Sequence, residues 1–252
     1  MLPLRGSIVT ALLGLVASSC SQAGVVLGQK PVDLTVPNGI EVGFNHRAVS
    51  RYRSPLSGAW RNGDNLEQML INAINSAGKE ILVAVQELSL PRIAESLVAA
   101  SRLGVNVKVI LENNYSTPWS QQHELDLSRH GRKRLQRLKV EADQDQNGVV
   151  SPEEERKSDA LLILQNGQIA WIDDTEDGSK GSGLMHHKFV VIDGERVITG
   201  SANFTNSGIH GDAGATQTRG NVNHLINIQS PALASIFKEE FAQMWGDGPG
   251  GS

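Results

Sequence analysis

Residues 184–205 read LMHHKFVVIDGERVITGSANFT, and this stretch limits what the chain can become more than any other. Phe189 to Ile192 is an unbroken apolar run, and Asp193-Gly194 is a strong turn signal. The pattern predicts a buried hairpin, which needs a sheet beside it and packed layers over it. Residues two apart on a strand share a face, so His186 and Lys188 project together, while His187 and Phe189 project the other way. With a two-residue loop, directly opposed residues have numbers with an odd sum. That parity puts Ser201 and Asn203 on the side of His186 and Lys188. Four polar side chains then converge at one end of a rigid hairpin, and His187 is left as a supporting or core histidine.

The rest of the chain supplies the sheet. Ile40 to Phe44 fits a first strand, and Asn65 to Ala77 has helical spacing with Asp64 as its cap. Ile81 to Val85 fits a strand buried on both faces, Pro91 opens a helix that Gly104 ends, and Val105 to Leu111 is the next strand. LLILQNGQIAWI (161–172) reads as two strands around an Asn-Gly turn. A closing helix, Pro231 to Trp245, is expected to bury Leu233, Ile236, Phe237, Phe241 and Trp245. The predicted class is α/β, with a mixed, mostly parallel sheet flanked by helices on both faces. The domain spans 40–245, preceded by a linker over 24–39, interrupted by an insertion at about 113–159 and followed by a flexible tail over 246–252.

An imidazole is a competent nucleophile toward phosphorus, and a covalent phospho-enzyme splits one hard displacement into two easier ones. A lysine beside it supplies positive charge for the non-bridging oxygens, and Ser201 and Asn203 add hydrogen bonds. HHKFVVID followed by GSANF resembles the H-x-K-x4-D…G-S-x-N signature of the phospholipase D superfamily, with His186, Lys188 and Asp193 in the three named slots. The similarity extends over most of 40–111 and 160–245 and is greatest to short, single-motif members, the small bacterial endonuclease and the cardiolipin-hydrolase-like proteins. The resemblance implies metal-independent phosphodiester hydrolysis through a phosphohistidine. It also implies a homodimer, because two motifs form one site and this chain carries one half-site. Asp193 serves as well to hold the turn as to touch the imidazole. Short members carry an acidic residue after the Gly-Ser-x-Asn segment to orient the histidine; here GNVNHLINI has Asn223 in that place. Asn223, His224 and Glu87 are the candidates for that orienting role.

Inside the insertion, DQDQNGVVSPEE (143–154) matches a twelve-residue EF-hand loop. Asp143, Asp145 and Asn147 would give side-chain oxygens to calcium, Val149 its carbonyl, Ser151 a water-linked contact and Glu154 a bidentate carboxylate. Gly148 makes the sharp turn and Val150 is the apolar plug. The expected ion is structural or regulatory. Upstream, SRHGRKRLQRLKV places Arg129, Arg132, Lys133, Arg134, Arg137 and Lys139 on a helix. That helix is either a solvated face or a surface for phosphates.

Residues 1–23 read as an export signal, with Arg5 before a short apolar run. The sole cysteine, Cys20, follows Ala17, Ser18 and Ser19, which resembles a lipoprotein box in which it is lipidated; Ser21-Gln22-Ala23 fits an ordinary cut. The protein is therefore expected outside the cytoplasm, periplasmic, secreted or at the cell surface, with membrane association through Cys20. A formal net charge of −4 excludes binding of polyanions by a global basic field. Nuclease-type hydrolysis is the first function expected, phospholipid hydrolysis the second, and a calcium-binding surface module with a decayed site the third. Scarce aromatics weigh against tight single-strand binding.

Overall fold

The computed structural model of the chain describes residues 37–175, 183–211 and 220–250. The export signal, Cys20, most of the linker and the last two residues of the tail lie outside them. The chain lays down β1 (Ile40–Phe44), then β2 (Arg51–Arg53) and β3 (Trp60–Asn62), which pair only with each other as a separate small hairpin. Next come α1 (Leu66–Asn75), β4 (Glu80–Val85), α2 (Pro91–Arg102) and β5 (Asn106–Leu111). The insertion carries α3 (Arg129–Ala142) and α4 (Pro152–Ser158). After it come α5 (Ala160–Asn166), β6 (Ala170–Asp173), β7 (Lys188–Ile192), β8 (Arg196–Gly200), α6 (Asn206–Ile209), β9 (His224–Gln229) and α7 (Pro231–Trp245).

Seven strands form one sheet in the order β1-β9-β8-β7-β4-β5-β6. The α/β class and the helix layers on both faces agree with the sequence reading, but the strand directions do not. Four pairings are antiparallel and only β4–β5 and β5–β6 are parallel, so the sheet is mixed and mostly antiparallel. The reason is topological. Strand β6 ends where β7 begins, at the same end of the sheet, so β7 runs back against β4 with no crossover to restore its direction.

Alternation along the strands feeds two cores. Val83, Val85, Val109 and Val190 meet Leu70 and Ile74 of α1, Leu97 of α2, and Leu161 and Leu164 of α5. Leu82, Ala84, Ile110, Phe189 and Val191 meet Ala234 and Phe241 of α7. Within α7, Ile236 departs from expectation and faces solvent, 63% exposed. The segment 161–172 departs further, for its first half is α5. Asp159 caps that helix by accepting from the N–H groups of Leu161 and Leu162. Asn166-Gly167 is the helix end instead of a hairpin turn. Gly167 is required there, because a Cβ would sit 2.3 Å from Val98 Cγ2 of α2. At α1 the cap is Asn65, which accepts from Gln68 N, while Asp64 turns back to accept from Phe44 N at 3.0 Å.

The central hairpin also has a longer loop than expected. Glu195 N bonds Ile192 O at 2.9 Å, yet the ladder pairs Ile192 with Arg196, so Asp193, Gly194 and Glu195 all lie between the paired residues. Opposed numbers therefore have an even sum, and the parity argument for Ser201 and Asn203 fails. Asp193 adopts a positive φ of 55°, and its carboxylate accepts from the backbone N–H groups of Gly78, Lys79 and Glu80 at 2.7–2.9 Å. Partial burial raises its pKa, but those three donors outweigh burial and hold it below the usual aspartate value. A carboxylate with a depressed folded pKa stabilises above its unfolded pKa and loses that contribution as pH falls through the folded value. Replacing Asp193 by Asn should thus lower stability at neutral pH and flatten the acid limb of the stability curve. Urea unfolding from pH 7 down to pH 2 checks this, and parallel curves for the two proteins would contradict it.

Candidate active site

Lys188 opens β7 between two neighbours, β4 on one side and β8 on the other. That position buries its side chain to 6% exposure. Its Nζ donates to Gln86 Oε1 at 3.3 Å and to the carbonyl of His186 at 3.1 Å. Among the described residues no carboxylate is paired with it. Burial pushes its pKa below the usual lysine value, since its acceptors are neutral. The result is a fixed cation at the sheet end with no anion of its own.

Asn203 reaches the same acceptor, donating from Nδ2 to Gln86 Oε1 at 3.1 Å. Lys188 and Asn203 are thus held side by side, as expected, but by another route. Strand β8 stops at Gly200, and the following turn brings Phe204 beside Leu88, where Phe204 N bonds Glu87 O at 3.0 Å. Gly200 is needed at that exit, because a Cβ would lie 2.2 Å from His224 O. Asn203 Oδ1 is buried and accepts nothing from the described residues.

His186 stands one residue pair before Lys188 and is exposed, and its ring makes no hydrogen bond with the described residues. His187 points to the other face. Its ring packs edge-on against Phe189 at 5.4 Å, and its Nε2 lies 2.9 Å from Glu240 Oε1 on α7. The two adjacent histidines therefore do different work, as the pleat predicts.

Ser201, Asn223 and His224 form a second cluster at this end of β8 and β9. Ser201 Oγ donates to Asn223 Oδ1 at 2.8 Å and lies 3.3 Å from His224 Nδ1. Asn223 is fixed by giving Nδ2 to Gly208 O and taking Asn45 Oδ1 at its own N–H. Among the described residues neither Asn223 nor His224 bonds the His186 ring; both meet Ser201 instead.

Two expected site residues are engaged elsewhere. Asp193 is at the far end of the hairpin, seven residues beyond His186 on strands that rise roughly 3.3 Å per residue. It pins the turn and cannot touch the imidazole. Glu87 binds Arg134 of α3 through a 2.6 Å contact between two buried side chains, so it is not an orienting group for His186. Gln86, which the sequence reading passed over, takes the central position. Its signal was positional: it directly follows the buried run 81–85, at the end where a neighbouring antiparallel strand would deliver Lys188.

The acidic loop after Ala142 joins α3 to α4. One carboxylate oxygen from each of Asp143, Asp145 and Glu154 comes within 4.8 Å of the others. Val150 packs beside Trp119, Leu135, Leu138 and Ala142. Asn147 Oδ1 accepts from Val149 N, and Ser151 and Glu154 close a reciprocal capping box. The basic residues of α3 are largely committed within the chain: Arg134 to Glu87, Arg137 to Glu141, Lys139 to Glu124, and Arg132 to Leu127 O.

A central hairpin bearing His-x-Lys and Gly-Ser-x-Asn on a mixed α/β sheet defines a phospholipase D-like domain. The family described as "Cardiolipin synthase, PLD-like domain" matches residues 70–245, and the chain belongs to it. It is 36% identical over 66 residues to the mitochondrial cardiolipin hydrolase of Xenopus tropicalis, covering 26% of this chain and 27% of that protein. It is 25% identical over 194 residues to the phospholipase D of Rickettsia conorii, covering 77% of this chain and 68% of that one. Among solved structures, Nuc of Salmonella typhimurium, a phospholipase D family member, aligns with a TM-score of 0.49 at 22% identity, covering 83% of this chain and 95% of that one.

The Glu87–Arg134 contact predicts a sharp asymmetry. Arg134→Met alone leaves a buried carboxylate unpaired and should cost about 3–5 kcal/mol, whereas the Arg134→Met/Glu87→Leu pair should recover much of it. A double-mutant cycle by urea unfolding checks the coupling, and additive losses would contradict it.

Proposed function

We propose that the chain hydrolyses phosphodiesters through a phosphohistidine at His186, and that its substrate is nucleic acid. The observation that carries the reading is the buried, uncompensated ammonium of Lys188 beside an exposed imidazole and Asn203. A phosphate is the anion this arrangement suits, since it presents several oxygens to fixed donors. One ring nitrogen of His186 attacks phosphorus, and the P–O bond to the leaving group breaks. The leaving oxygen takes a proton from His186 of a second copy of the chain, brought opposite by a two-fold axis. Water then attacks phosphorus, gives a proton to that second imidazole, and breaks the P–N bond, which frees His186 and releases a phosphate monoester. The Lys188 ammonium and the second Nδ2–H of Asn203 hold the non-bridging oxygens in both steps. Ser201, Asn223 and His224 frame the same end, where the Ser201 hydroxyl becomes an additional donor if it turns from Asn223 Oδ1 to a phosphate oxygen. A lipid diester is the second reading, favoured by the 36% identity over 66 residues to a cardiolipin hydrolase; lipidation of Cys20, if the N-terminal segment is a lipoprotein signal, would hold the chain near such a substrate.

His186→Ala should reduce turnover of plasmid DNA by on the order of 10⁴-fold or more, and an acid-labile phosphate should be trapped on the wild type alone. Assays on RNA and labelled phospholipid run beside it. Equal rates in both proteins, or full activity in a strictly monomeric chain, would reject the mechanism; cleavage of lipid alone would replace the substrate.

We further propose that Asp143, Asp145, Asn147, Val149, Ser151 and Glu154 hold calcium in the insertion. Hard carboxylate and carbonyl oxygens are the donor set calcium takes. The backbone and side-chain donors of Ser151 hold the Glu154 carboxyl below its usual pKa, so it is ionised and ready to ligate. The ion would brace α3 and α4 and takes no part in the phosphoryl steps. Calorimetry should show one calcium taken up per chain at millimolar concentration and none by Glu154→Gln. No uptake by the wild type would remove the site.

A further inference from the structure

The small hairpin β2–β3 takes no part in the chemistry described, and its two faces differ sharply. Tyr52 and Arg61 pair across the strands on the inner face, where Arg61 is only 5% exposed. Arg51, Arg53 and Trp60 occupy the outer face, with Arg53 directly opposite Trp60. The Trp60 ring is 55% exposed, and the guanidinium carbons of Arg51 and Arg53 lie 4.6 and 5.0 Å from its centroid. Among the described residues no carboxylate pairs with either arginine; Arg53 gives one bond to Gly58 O.

The inner face anchors this hairpin to the site end of the main sheet. Tyr52 Oη lies 2.8 Å from His210 Nδ1, and the buried His210 ring meets Glu67 Oε2 at 3.1 Å. At the hairpin root, Asn45 donates to Asn221 O and accepts from Asn223 N, while the Phe44 ring lies 6.1 Å from His224. The root is also closed by Gly63, where a Cβ would fall 2.1 Å from Asn45 O. The platform therefore stands on the same residues that frame Ser201.

We propose that the outer face of this hairpin is a docking platform for single-stranded nucleic acid that leads the strand toward the site. The proposal rests on the nucleic-acid reading given above and names the form of substrate it requires. An indole offers a stacking face to any base, and two arginines without internal counter-charges suit the phosphates on either side of it. A duplex keeps its base faces inside and gives Trp60 nothing to stack on. The two guanidinium groups lie against part of the indole, and the rest of the ring, in a residue 55% exposed, is the surface a base would meet.

The test uses the full chain and a fluorescein-labelled oligothymidylate of twenty nucleotides, read by anisotropy across a salt series. Trp60→Ala should weaken binding about tenfold, with Trp60→Phe restoring most of it. Arg51→Gln/Arg53→Gln should flatten the slope of log affinity against log salt by about 1.4, roughly 0.7 for each lost phosphate contact. The ratio of oligonucleotide turnover to bis(p-nitrophenyl) phosphate turnover should fall with affinity in both variants. Should Trp60→Ala fail to fold, Trp60→Leu carries the same test, since it keeps bulk and lacks a π face. Undiminished affinity in the Trp60 variants, or no oligonucleotide binding by the wild type, overturns the platform. So does a loss confined to vesicles of phosphatidylglycerol, which would make the face a membrane surface. Binding through Trp60 without any cleavage leaves the platform standing and defeats the nuclease reading instead.

Discussion

The site depends on a lysine ammonium held at the end of a central strand with no carboxylate to meet it. Burial disfavours the charged form of Lys188, so the unfolded chain binds that proton more tightly than the folded one. In purely structural terms such a group is a liability. It is tolerable because Gln86 Oε1 and the His186 carbonyl supply dipoles without cancelling the charge. A carboxylate at position 86 would stabilise the free fold and would also compete with any phosphate. The neutral amide there keeps the charge available, and it holds Asn203 beside the ammonium at the same time.

That arrangement asks for a rigid hairpin, and the rigidity comes from places far from the site. The Asp193 carboxylate ties the turn of β7–β8 to the three residues that lead into β4, so both strands share a fixed origin. At the other end, Gly200 lets the backbone of β9 approach more closely than any side chain would permit. The chain can then leave the ladder and bring Phe204 against Leu88, which carries Asn203 across to Gln86. The aspartate of the signature is thus explained by fold alone, without contact with the chemistry.

How much of this was legible depended on the range of the interaction. The pleat is a two-residue rule, and it separated His186 from His187 correctly. Local spacing likewise found α7 and the β4-α2-β5 unit. The register of β7–β8 was misjudged because one extra loop residue, Glu195, changes every pairing and leaves no mark in composition. The Asn166-Gly167 pair signals a hairpin and a helix end equally well; only the contact of Gly167 with Val98 decides between them. Strand direction was misjudged for a related reason, since a βαβ unit says nothing about how the next strand enters. The partners of Glu87 and Lys188 come from segments 47 and 102 residues away in sequence, beyond the reach of any periodicity.

The insertion shows why a run of basic residues is weak evidence for a polyanion surface. On α3 the charges point to internal work: Arg134 lies over Tyr115 and grips Glu87, and Glu141, the partner of Arg137, also accepts from Asn206 just after the Gly-Ser-x-Asn segment. These two attachments reach the segment after β4 and the segment after β8, the same two segments that supply Gln86 and Asn203. A helix held at both of those points is a brace for the site, and Arg134 and Arg137 are the charges that hold it. Two arginines, Arg51 and Arg53, sit instead beside Trp60 on the small hairpin. Density of basic residues along the sequence is therefore a poor guide to available charge in this chain, because Arg134, Arg137 and Lys139 of the basic helix are each paired with a carboxylate, whereas Arg51 and Arg53 meet none among the described residues.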